Sequence, residues 1–154
     1  MGKLSITKEF TWDMAHMLAS YQGLCKNLHG HTYKLQVEVT RNSEQLITDS
    51  EANSGMVLDF KDLKKVVKEE IVGPFDHAFV YWTGSSDVVE HQIAELLKEE
   101  GRKVVEVDFR PTAEEMAAYF LEVLNAKFEE EGVRVSKVKV WETPTSFAEI
   151  REDE

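Results

Sequence analysis

The stretch "GLCKNLHGHTYKLQVEV", Gly23 to Val39, places one thiol, Cys25, and two imidazoles, His29 and His31, within seven positions. Such groups serve a metal centre or a thiol–histidine catalytic pair, or they simply belong to a loop that enters a strand. His29 and His31 lie two apart, so an extended backbone projects both to one face and one cation can reach both. Gly30 between them leaves the opposite face without a side chain, open to close approach by a ligand or another chain. His16 ends an earlier alternating run, and antiparallel pairing of the two runs would bring a third nitrogen. Three imidazoles with a vacant fourth position describe a catalytic rather than a purely structural zinc site. An H-x-H pair also occurs at strand edges with both rings satisfied by hydrogen bonds, and spacing alone does not choose.

Cys25 is the single cysteine, so it forms no internal disulfide. Cationic or metal-bound neighbours, Lys26 among them, would lower its pKa and make a thiolate base; in apolar surroundings it is a small buried thiol. The segment "GPFDHAFV" offers Asp76 and His77. A carboxylate beside an imidazole fixes its tautomer and raises its basicity, which suits a proton shuttle, although such a dipeptide also serves as a plain turn. Glu142 ends "VKVWE" on the same parity as Val138 and Val140. Its carboxylate points inward and needs a partner unless the strand emerges into solvent there. His91 falls on the polar side of a helix and reads as a surface residue; Trp12, Trp82 and Trp141 read as core or interface.

These groups must be positioned by regular elements. From Leu4 to His16 apolar and polar residues alternate, as they do from His31 to Arg41, which predicts two half-buried strands. A polar segment leads to a short extended run, Met56 to Leu58. Asp59 can cap a helix whose apolar positions Phe60, Leu63, Val67 and Ile71 recur until Gly73-Pro74 stops the pattern. Asp87 with Glu90 three residues on predicts a second capped helix ending at Gly101, followed by a strand in "KVVEVDF". Thr112 with Glu115 repeats the capping spacing before a third helix that reaches Phe128. Two strands, Val133 to Glu142 and Phe147 to Arg151, close the chain around "TPTS". Strand pair, helices, strand pair predicts an α+β fold, an antiparallel sheet packed against helices.

The chain's 154 residues suffice for one domain, 1–154, around a single core. Its 29 acidic against 18 basic residues give a net charge of -11, which argues against nucleic acid and anionic membranes as partners. An anionic ligand would need a local basic pocket. No apolar run approaches the roughly 18 residues of a membrane span, and the start "MGKLSI" lacks a secretory layout, so a cytoplasmic location is expected.

Taken in order, "FTWDMAH", "CKNLHGHTY", "GMVLDFKDLK", "FDHAFV", "RPTAEEMA" and "VWET" resemble the 6-pyruvoyl-tetrahydropterin synthase family. The chain is most similar to its queuosine-pathway branch, which makes 6-carboxy-5,6,7,8-tetrahydropterin. Three residues between Cys25 and His29 match that branch, whereas the pyruvoyl branch usually has five and a folate-related branch carries glutamate for the cysteine. The resemblance implies Zn2+ held by His16, His29 and His31, Cys25 as general base, and Asp76 with His77 as proton relay. It also implies Glu142 as pterin anchor with Thr112 near it, and leaves Lys26 as the candidate for the triphosphate. The implied reaction is a lyase cleavage of 7,8-dihydroneopterin triphosphate to 6-carboxytetrahydropterin, acetaldehyde and triphosphate. Pyruvoyl-tetrahydropterin formation or zinc-bound pterin sequestration are the alternatives. The implied fold is the tunnelling fold, ββααββ, with sheets joined into barrels and two trimers stacked as a homohexamer. Two departures stand out: residues 81 to 110 form an inserted helix and strand, and Glu115 stands where Asn is frequent.

Overall fold

A computed structural model describes residues 2–152. Strands β1 (Ser5–His16) and β2 (His29–Arg41) pair antiparallel along their whole length, from Ser5↔Thr40 to His16↔His29. The alternation sorts the faces: Phe10, Trp12 and Met14 of β1 are buried with Tyr33, Leu35, Val37 and Val39 of β2, while the opposite parity carries charge. β5 (Val133–Thr143) adds antiparallel to β2 with a bulge at Glu38/Val39, and β6 (Ser146–Arg151) adds to β5.

The expected antiparallel sheet is therefore present, and two further strands extend it into a mixed one. β3 (Phe79–Trp82) meets β1 in parallel at Ala15↔Phe79, and β4 (Val104–Val107) pairs in parallel with β3, giving the order β4-β3-β1-β2-β5-β6. Parallel neighbours need a crossover of a dozen or more residues, and helix α2 (Val88–Glu99) supplies it. β3 is absent from the sequence reading because its four apolar residues are too short a run to show a period.

Helices α1 (Phe60–Val67) and α3 (Ala113–Phe128) cover the apolar face of the sheet. Asp59 caps α1 through the Lys61 amide, Asp87 caps α2 through Val89, and Thr112 caps α3 through Glu115, as their spacing predicts. Gly73-Pro74 does not end the helical path, contrary to expectation. A π-helical turn, Lys68–Val72, carries it on to Gly73–Phe75. Any side chain at Gly73 would meet the Lys68 carbonyl at 2.8 Å, and Pro74 falls in a first turn, where its missing N–H costs nothing. Met56 to Leu58 form no strand; Val57 and Leu58 pack into the core from irregular chain. No described helix is long and apolar enough to cross a membrane.

Candidate active site

β1 and β2 end together, so the register that pairs His16 with His29 and Met14 with His31 collects three imidazoles at one corner of the sheet. Their ring centroids lie 4.6, 5.4 and 4.9 Å apart, and one nitrogen of each falls within 4.8 Å of the others. His16 is fully buried, whereas His29 and His31 are half-buried and open the cluster on one side.

Backbone carbonyls set the tautomers. His16 Nδ1 lies 2.8 Å from the Pro111 carbonyl and His29 Nδ1 lies 2.7 Å from that of Asn27. A carbonyl only accepts, so each Nδ1 carries the proton and each Nε2 keeps a bare lone pair. Those two Nε2 atoms face each other at 3.1 Å. Two acceptors at that distance need a positive charge between them. Burial holds His16 near pKa 4, with His29 and His31 lowering it further, so His16 does not supply the proton at neutral pH. A tetrahedral ion about 2.05 Å from each nitrogen would separate them by about 3.3 Å, so the pair is spaced for a metal. Carbonyl-fixed imidazoles are also the usual outer support of such centres.

Glu142, one step past the Lys34↔Trp141 pair, brings Oε1 to 3.5 Å from His31 Nε2. Tyr33, on the same face as both β2 histidines, is fully buried with its hydroxyl 3.4 Å from both His16 nitrogens. Burial pushes the Tyr33 phenol well above its ordinary pKa, and the nearby charges of Glu142 and Cys25 add to this. Cys25 is half-buried in a 3-10 turn, Leu24–Lys26, whose Cys25 carbonyl accepts from the Leu18 amide at 3.0 Å; Lys26 is exposed. Thr112 spends its hydroxyl on the α3 cap, accepting from Glu115 N–H at 3.2 Å, next to the Pro111 carbonyl that holds His16.

Asp76 and His77 are not in this cluster. Their carboxylate–imidazole contact, 2.9 Å, joins Asp13 and Thr32, a register pair of the opposite parity from Met14 and His31. They therefore sit at the outer edge of β1, with their side chains beside the Asp13 carboxylate. The Asp13 amide donates to Asp76 Oδ1 at 3.2 Å, the His77 amide donates to the Asp13 carbonyl at 2.6 Å, and the Thr32 hydroxyl meets the Asp13 carboxylate. The Asp13 amide and then His77 hold the Asp76 carboxyl below its ordinary pKa. His77 has φ 63, left-handed and strained for a histidine, and Lys103 braces the turn by donating to the Gly73 and Asp76 carbonyls. A cavity of about 690 Å³ reaches from this pair to the histidine cluster, lined by His77, Asp13, Thr32 and Lys103 together with Met14 and His31.

Tyr33, Asp13 and Thr32 are absent from the sequence reading. Period-two counting from His29 and His31 already places Tyr33 on the histidine face, whereas Asp13 and Thr32 look like ordinary outward residues of their strands. His91 is a correction: it is half-buried, bonded to the Tyr81 hydroxyl and 2.6 Å from the Ser85 carbonyl, because β3 provides a surface that the sequence reading lacks. Glu90 likewise leaves its expected cap, is fully buried, and accepts from the Trp82 amide at 2.9 Å.

The profile of the family described as 6-pyruvoyl tetrahydropterin synthase matches residues 5–153. A 6-carboxy-5,6,7,8-tetrahydropterin synthase from Haemophilus influenzae is 46% identical over 147 residues, covering 96% of this chain and 98% of its own. One from Aquifex aeolicus is 35% identical over 134 residues, 84% of this chain and 76% of its own. An uncharacterized protein from Wolinella succinogenes superimposes with a TM-score of 0.77 at 26% identity, over 99% of this chain and 100% of its own. The 6-pyruvoyl tetrahydropterin synthase of Plasmodium vivax, 19% identical with both chains fully covered, shares the fold at a TM-score of 0.69. The chain belongs to the 6-pyruvoyl tetrahydropterin synthase family.

Proposed function

We propose that this chain is a zinc-dependent carbon–carbon lyase converting 7,8-dihydroneopterin triphosphate and water to 6-carboxy-5,6,7,8-tetrahydropterin, acetaldehyde and triphosphate, a cytoplasmic step of queuosine synthesis. The observation that carries the metal reading is the pair of bare Nε2 atoms 3.1 Å apart. The relatives named for this reaction, up to 46% identical, carry the choice of reaction.

His16, His29 and His31 would hold the ion, which when bound acts as a Lewis acid toward side-chain hydroxyl oxygens of the substrate. Glu142 orients the pterin by accepting two of its N–H groups in a charge-assisted, two-pronged contact. Its position beside His31 sets the side chain of the pterin toward the histidines. Cys25, whose loop is tied to the chain just past His16 through the Leu18 amide, removes a proton from that side chain. Lys26, exposed at the mouth of its turn, meets the triphosphate.

Asp76 and His77 support proton transfer from another copy of the chain, since they cluster with Asp13 and not with their own three histidines. The sheet leaves room for such copies. β3 pairs with β1 only at Ala15, and Asp76 and His77 occupy the edge at Asp13, so among the described residues no strand pairs with the outer edge of β1 before Asp13 or with that of β6. Open edges of this length invite pairing. Copies joined β1 to β6 would close a barrel and carry each Asp76-His77 pair toward a neighbour's centre, in trimers stacked as a hexamer.

Mass spectrometry of the products from 7,8-dihydroneopterin triphosphate, with an acetaldehyde assay, tests the reading. Equal formation of 6-carboxytetrahydropterin and acetaldehyde supports it. A pyruvoyl product, or pterin binding without turnover by zinc-loaded protein, overturns it.

A further inference from the structure

The β3–α2–β4 unit, which contains most of the segment 81 to 110, has no part in the chemistry above, yet it is built around the chain that follows His16. Met17 is buried in a small separate cluster with Phe79 and Ala94, with Ala15, Tyr81, Ile93, Leu97 and Val104 packed on it. The residue next to a candidate metal ligand is thus seated in the insertion and not in the main core.

Polar contacts continue the grip along the loop to Cys25. Arg110, just past β4, donates from Nη2 to the Ala19 carbonyl at 3.0 Å. Ser20, with φ 64 in the left-handed region, places its hydroxyl 3.1 Å from that of Ser86. The Leu18 amide then donates to the Cys25 carbonyl, which ties the far end of the loop back to the braced end.

The insertion is itself stiffened where it makes these contacts. Buried Glu90 accepts the Trp82 amide, His91 spans the Tyr81 hydroxyl and the Ser85 carbonyl, and the Ser85 hydroxyl accepts from the Asp87 amide. Burying a carboxylate is costly unless its bonds matter, and here they fix the turn that presents Ser86. Arg110 also precedes Pro111, whose carbonyl sets the His16 tautomer. One short segment therefore connects the loop and the histidine cluster.

We propose that the inserted unit is a brace that holds the Cys25 loop against the histidine cluster, with Ser86 and Arg110 as its positioning residues. The proposal rests on the assignment of Cys25 as the base, and its test reads the loop separately from turnover. In zinc-loaded full-length protein, the rate of Cys25 alkylation by iodoacetamide is measured for wild type, Ser86→Ala, Arg110→Met, Arg110→Lys and the double variant Ser86→Ala/Arg110→Met.

Each lost bond is expected to raise the alkylation rate about threefold to tenfold and to lower kcat by a similar factor with little change in KM. Arg110→Lys should restore much of both, since an ammonium can still donate to the Ala19 carbonyl. Unchanged alkylation in the folded double variant overturns the brace, as does a fall in kcat with no change in alkylation. If the double variant fails to fold, Ser86→Ala, an exposed hydroxyl, decides by the same readouts. Faster alkylation in the variants together with no lyase turnover in wild type would uphold the brace and overturn the proposed reaction.

Discussion

Lowering the pH of metal-free protein should unfold it through His16. The ring is fully buried and its folded pKa is held at about 4, against an ordinary value of 6.5. A group whose folded pKa is depressed contributes stability above its unfolded value and loses it as pH falls through the folded one. The unfolded chain takes up the proton from about pH 6.5 downward, while the folded chain resists until about pH 4. The gap of about 2.5 units corresponds to about 3 kcal/mol, lost across that window. The assay is urea unfolding of chelator-treated protein at fixed concentration between pH 7.5 and 4, alongside His16→Gln, which lacks the titrating ring. Wild type should lose about 3 kcal/mol more than the variant over the window, and excess zinc should raise the stability of wild type at neutral pH by mass action. Parallel curves for the two proteins would show that His16 is not held neutral by burial, and would remove the reason for placing a cation between the rings.

Replacing His29 by Ala removes one of the two facing Nε2 atoms and should release zinc, read as metal content per chain after desalting; full retention would contradict ligation. Cys25→Ala should lower kcat about 10²- to 10⁴-fold with zinc content unchanged, the usual cost of losing a general base. Mixing Cys25→Ala with His77→Ala subunits, each inactive alone, should restore about a quarter of parental activity after co-refolding, because random assembly leaves about that share of shared sites intact. No recovery would place Asp76 and His77 outside the neighbour's centre.

What was legible in the sequence is what short periods and caps encode. The two alternating runs gave the β1–β2 hairpin, and with it the meeting of His16 and His29, because antiparallel strands that end together must bring their terminal residues side by side. Asp59, Asp87 and Thr112 marked three helix starts because a side-chain acceptor there replaces a missing backbone partner. β3 was not legible: a four-residue apolar strand has too few turns of the pattern to declare itself, and its place is decided by β1 and β4 from either side. The roles of Glu90 and His91 were hidden for the same reason, since both bond to groups of β3 and the turn after it.

The Asp76-His77 pair shows the deeper limit. From residue types alone it looks like a member of the same centre as His16, His29 and His31, since all are proton- or metal-handling groups. Parity separates them: Asp13, which grips the pair, alternates with Met14, whose register partner is His31. The two groups form separate clusters, and the proposed sharing of sites between copies would bring one copy's pair to its neighbour's histidines. The left-handed His77 backbone and the two bonds from Lys103 fix the pair beside β1, the placement that the mixed-subunit experiment probes.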